Sequence, residues 1–150
     1  MSYVIRKAVP ADENCIRALF VEMLQTIYHT DDVTGYEDGY LDKFWRNGED
    51  RIYVTEEDGS VIAFLSVEVY RKPKEYIYLD DLSVSESHRN KGIGTDLIRT
   101  AESYAKTIGI PVITFHVEKA NRSAFQLYER LGYAIYQEDG SRYLMIKNME

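Results

Sequence analysis

Arg89-Asn90-Lys91-Gly92-Ile93-Gly94 follows the apolar, strand-like run Tyr76 to Val84 and opens an amphipathic helix. A turn of this make suits a phosphate. Glycines let the backbone approach a ligand closely, and the first turn of the helix presents unpaired N–H groups and the positive end of its dipole. Arg89 and Lys91 add side-chain charge beside those donors. Two familiar phosphate loops do not fit: Leu97 stands where a dinucleotide fingerprint needs its third glycine, and Lys91 precedes Gly92 where a P-loop needs Gly-Lys-Ser/Thr. On this hexapeptide alone, a solvated strand-to-helix turn is the plain alternative.

A second motif changes the weighting. After the strand candidate Val112 to Glu118 comes Asn121-Arg122-Ser123-Ala124-Phe125-Gln126-Leu127-Tyr128-Glu129-Arg130-Leu131-Gly132-Tyr133, or N-x-x-A-x-x-x-Y-x-x-x-G-Y, a short helix closed by Gly132. The two motifs, in this order, resemble the GNAT superfamily of acetyl-CoA-dependent N-acetyltransferases, most strongly from about Tyr76 to Tyr133. The resemblance implies an α/β (α+β) fold, with a mixed, mostly antiparallel central sheet and helices on both faces. It also implies two central strands that splay to admit the pantetheine arm of acetyl-CoA. The implied coenzyme contacts are Leu82, Ser83, Val84, Arg89, Asn90, Lys91, Gly92, Ile93, Gly94, Thr95, Asn121 and Tyr128.

The 150 residues fit one domain, residues 1–150, with a sizeable core. Hydrophobic residues make up 45% and charged ones 29%, and no apolar run approaches a membrane span, so no membrane partner is expected. The start, Met1-Ser2-Tyr3-Val4-Ile5-Arg6, lacks a basic leader followed by a long apolar stretch, so a cytoplasmic protein is expected. Cys15 is the only cysteine, which excludes an intrachain disulfide and a cysteine metal cluster. Packing is its expected role, and no metal is expected. A net charge of -7 disfavours nucleic acid and suits a cationic partner.

Tyr3 to Ala8 reads as a strand, and Pro10-Ala11-Asp12-Glu13 as a helix start with acidic residues in its first turn. Ile16, Leu19, Phe20, Met23, Leu24 and Ile27 recur at helical spacing and form one buried stripe. Tyr36 to Arg46 reads as a shorter helix. Arg51 to Glu56, Asp58-Gly59 and Val61 to Tyr70 read as a hairpin. Ile93, Leu97, Ile98, Ala101, Ala105 and Ile108 are the core stripe of the next helix, capped by Gly109. The strand Val112 to Glu118, reached by a helical crossover, is expected parallel to its predecessor. Tyr133 to Glu138 and Arg142 to Lys147 close the chain as a hairpin about Asp139-Gly140.

Moving acetyl from a thioester to an amine needs a neutral amine, a polarised carbonyl and a proton for the departing thiolate. The resemblance implies Tyr128 as general acid; the alternative is a packed core tyrosine. Polarisation is expected from a backbone N–H on Asp81-Leu82-Ser83-Val84. Ser83 as an acyl nucleophile has no base at a fixed offset. For the general base three readings stay open. His116 carries an imidazole, and in ribosomal-protein N-terminal acetyltransferases a glutamate matches its position. Asp80 matches an acidic residue of polyamine N-acetyltransferases, and a water chain needs no dedicated base.

The acceptor side is expected between the first strand and the hairpin, where Tyr28, Tyr36 and Tyr40 interleave with Asp31, Asp32, Glu37, Asp38 and Asp42. Carboxylates attract an ammonium and aromatic faces can stack on it. The expectation is therefore a small-molecule or peptide amine of cationic character, acetylated directly in a ternary complex. A non-catalytic acyl-CoA sensor on the same fold is the rival, and a homodimer is left open.

Overall fold

Continuous apolar runs build the central strands Arg51–Glu57 and Ser60–Tyr70, and stripes at helical spacing build the helices. The computed structural model describes residues 2–150. Its strands are β1 (Val4–Lys7), β2 (Arg51–Glu57), β3 (Ser60–Tyr70), β4 (Tyr76–Val84), β5 (Val112–Glu118), β6 (Ala134–Asp139) and β7 (Arg142–Asn148). The helices are α1 (Glu13–Tyr28), α2 (Asp42–Trp45), α3 (Ile93–Thr107) and α4 (Arg122–Arg130). One seven-stranded sheet has the order β1-β2-β3-β4-β5-β7-β6. Its contacts gather into two compact units, Met1–Val67 with Asp81–Ala101, and Glu68–Asp80 with Glu102–Glu150.

In the first unit β1, β2 and β3 pair antiparallel. Its core joins Ala8, Ile16 and Leu19 to Leu41, Phe44, Ile52, Val54 and Phe64. Asp12 anchors the entry to α1: its carboxylate accepts from the Val9 amide at 2.8 Å and from Arg6 at 2.8 and 3.0 Å. The α1 stripe is narrower than its spacing suggests, since Ile16 and Leu19 are buried while Ile27 is 53% exposed. Cys15 is also exposed, so the packing role expected for it is not found. The helix expected over Tyr36 to Arg46 shrinks to Asp42–Trp45. Gly39 takes φ +81, a left-handed conformation that an α-helix cannot contain.

In the second unit β4 and β5 run parallel, with Ile77 opposite Ile113 and Tyr78 opposite Thr114. Among the described residues that register goes no further, although both strands continue. β5 instead pairs along its whole length with β7, which forms the hairpin with β6. Ile113, Phe115 and Val117 are buried on one face, and Val112, Thr114 and His116 alternate to the other. The Asn121 side chain caps α4 by accepting from the Ala124 amide. Gly132 ends the helix at φ +99, where a Cβ would also come within 3.2 Å of the Lys147 chain. Tyr133 turns inward and donates to buried Glu102 at 2.9 Å, which Lys147 also reaches at 3.0 Å.

Candidate active site

The phosphate turn lies wholly in the first unit. Asn90 and Gly92 take φ of 62 and 83, so the chain folds back on itself between β4 and α3. The Asp96 amide makes its bond to Gly92 O, leaving the amides of Ile93, Gly94 and Thr95 at the open N-terminus of a 15-residue helix. No atom lies within 4 Å of where a Gly92 Cβ would stand, and a Gly94 Cβ would only touch Leu82. The turn is therefore an open cradle of donors, which fits the diphosphate of coenzyme A.

Its two cations behave differently. Arg89 donates through Nε to Val84 O at 3.0 Å and faces Glu22 at 3.7 Å, so it braces the turn. Glu22 also accepts from the Glu86 amide at 2.7 Å, a bracing role that no local pattern in the sequence announces. Lys91 is exposed and carries the turn's outward charge.

Before the turn, Ser83 is buried and its hydroxyl donates to Leu19 O at 2.9 Å, which makes it a structural tie. The Asp81 amide donates to the Ser66 hydroxyl on β3 at 2.9 Å. Successive strand amides point to opposite edges, so the Leu82 and Val84 amides point away from β3.

The expected acceptor residues also belong to the first unit. Tyr36 stacks on Phe20 and on Tyr40, with ring centroids 3.8 and 4.8 Å away, and its hydroxyl donates to Asp81 at 2.5 Å. Arg17 holds the carbonyls of Tyr36 and Glu37. Tyr28, Asp31, Asp32 and Glu37 are exposed.

Tyr128, expected as general acid, and His116, one candidate general base, lie in the second unit, on opposite faces of β5. Tyr128 on α4 packs edge-on against Phe115, with centroids 4.6 Å apart. Burial raises its pKa above the ordinary tyrosine value, so the hydroxyl keeps its proton through neutral pH. On the other face His116 is held at both ring nitrogens. Tyr78 Oη lies 2.6 Å from Nδ1, and Asp139 Oδ2 lies 2.8 Å from Nε2. A carboxylate only accepts, so Nε2 carries the hydrogen; in the neutral imidazole Nδ1 then accepts from the Tyr78 hydroxyl. His116 and then Gln137 hold the Asp139 carboxyl below the usual range, which keeps it ionised.

Tyr78 and Asp139 were absent from the sequence expectations. Alternation along β4 would have put Tyr78 on the His116 face, but Asp139 reaches it only through the pairing of the final hairpin. Asp80 is exposed, two residues beyond Tyr78 and so on the same strand face.

The acetyltransferase (GNAT) family model matches residues 18–133. The chain belongs to that family. The N-acetyltransferase YhfO of Bacillus subtilis is 33% identical over 134 residues, covering 86% of this chain and 88% of the relative. The streptothricin acetyltransferase of Streptomyces lavendulae is 28% identical, covering 95% and 87%. Among solved structures, the PaiA N-acetyltransferase of Thermoplasma acidophilum, in complex with coenzyme A, superposes with a TM-score of 0.80. It is 22% identical over 99% of both chains. The fold, family and coenzyme expected from the two motifs are borne out: this GNAT protein is an acetyl-CoA-dependent acetyltransferase.

Proposed function

We propose that this GNAT enzyme acetylates a primary amine by direct transfer, with Tyr128 as general acid and His116 as general base acting through Tyr78. The observation that carries this reading is the opposition across β5. Tyr128 lies on the Phe115 face and the Tyr78–His116–Asp139 chain on the other, beside the point where β4 and β5 lose their register.

Acetyl-CoA, when bound, supplies an activated thioester. The open amides of Ile93, Gly94 and Thr95, with Lys91, would hold its phosphates. The Leu82 amide, pointing away from β3, is suited to polarise the acetyl carbonyl. Tyr128, protonated at neutral pH, would give its proton to the departing sulfur. On the amine side, the Tyr78 oxygen can accept a proton while its own passes to His116 Nδ1. The imidazolium so formed is stabilised by the ionised Asp139. This paired geometry favours His116 over Asp80 as the base. The exposed carboxylates Asp31, Asp32 and Glu37 support attraction of the acceptor's ammonium.

The test is thiol release from acetyl-CoA across a panel of primary amines, with Tyr128→Phe beside the unaltered protein. We expect turnover to fall about 10²–10⁴-fold, the usual worth of a general acid, with coenzyme affinity nearly unchanged. Unchanged turnover would return Tyr128 to a packing role. Coenzyme binding without turnover of any amine would favour a sensor.

A further inference from the structure

Beside His116 the second unit has a cavity of about 450 Å³, within the range of small-molecule sites. Its floor is the β5 face that α4 leaves uncovered. Leu144 stands opposite His116, and Ile146 opposite Thr114, which is itself opposite Tyr78. Tyr76, Val112 and Tyr136 complete the apolar wall. Tyr136, 60% exposed at the irregularity in β6, forms the rim.

The charges around this cavity are informative. Its carboxylate, Glu75, is bound to Arg71 at 2.6 Å, and Lys74 adds a positive charge to the lining. A second ammonium entering here would meet Lys74 and a carboxylate already paired with Arg71. An uncharged side group would instead cover Leu144, Ile146 and Val112.

Resting on the amine-acetylation reading, we infer that this cavity receives an apolar, ring-sized substituent attached next to the acceptor's reactive amine. The amine itself lies against Tyr78 and His116. The acceptor class is thus a hydrophobic amine, an arylalkyl amine or a peptide-like amine with an apolar first side chain. Any second cationic group lies outside the cavity.

A series of amino-acid amides isolates the side group, because glycinamide, leucinamide, phenylalaninamide and lysinamide present the same α-amine. With acetyl-CoA, kcat/KM for leucinamide and phenylalaninamide should exceed that for glycinamide and lysinamide by about 10-fold or more, since a few buried methylenes suffice for that. Ile146→Glu, a change on the half-buried cavity floor, should reduce the phenylalaninamide-to-glycinamide ratio at least about 10-fold by the same reasoning. Binding of N-acetylphenylalaninamide, followed by calorimetry without coenzyme, gives a readout independent of turnover. A flat series, or a preference for lysinamide, overturns the cavity assignment. Binding that Ile146→Glu abolishes, with no thiol release from any amide, keeps the cavity and overturns amine acetylation. Neither binding nor turnover overturns the cavity assignment.

Discussion

His116 has no nitrogen left for a substrate, because Tyr78 occupies one and Asp139 the other. In the proposed mechanism its basicity reaches the amine only through the Tyr78 oxygen, which would make Tyr78 the contacting group and Asp139 a positioning residue. Tyr78→Phe should then impair turnover about as much as His116→Ala, with coenzyme affinity nearly unchanged in both. Asp139→Asn keeps an acceptor for Nε2–H but removes the charge facing the imidazolium. Hydrogen bonds to charged groups are worth about 1.5–3 kcal/mol, so a loss of about 10- to 100-fold in kcat is expected. Because His116 lowers the Asp139 pKa, that carboxyl adds no limb of its own above about pH 4, near the ordinary carboxylate value. Tyr128 has the opposite sign: raised by burial, it loses its proton only above about pH 10, so activity should hold until then. Unchanged turnover in Tyr78→Phe would remove the relay.

At the scale of elements, the phosphate turn depends on left-handed backbone at Asn90 and Gly92. Gly92→Val places a β-branched side chain at φ +83, where the cost is about 1–2 kcal/mol. The coenzyme affinity, read from the CoA-induced rise in melting temperature, should fall by about 10-fold with that distortion. A full shift in the variant would separate the turn from the coenzyme. This turn and α4 were legible in the sequence because their determinants are local: glycines, a capping Asn121, and a stripe at one spacing. The segment from Tyr36 to Arg46 misled for the same reason. Tyr40, Leu41, Phe44 and Trp45 keep helical spacing, while Gly39 breaks the helix and Tyr36 is committed to Phe20 and Asp81. Asp139 was illegible because 23 residues separate it from His116 and only strand register joins them. The same element scale governs acid stability. Asp12 sits below the usual carboxylate range chiefly through its hydrogen bonds from Arg6. A depressed pKa gives stability that is present above the unfolded value near 3.8 and lost as pH falls through the folded one. Asp12→Asn should therefore destabilise at pH 7 by about 2 kcal/mol, the worth of charge-assisted bonds, and should unfold with a weaker dependence on pH below 4.

For the whole molecule, the decisive question is whether the acetyl group ever rests on the protein. The side chains that could hold it argue against this. Ser83 is buried with its hydroxyl given to Leu19, and Cys15 lies exposed early on α1, outside both sequence motifs. The direct test is an initial-velocity study with acetyl-CoA and an accepted amine both varied, together with the intact mass of the protein after acetyl-CoA alone. Intersecting double-reciprocal lines and an unacetylated chain are predicted. Parallel lines with one acetyl group retained on the protein would contradict the account.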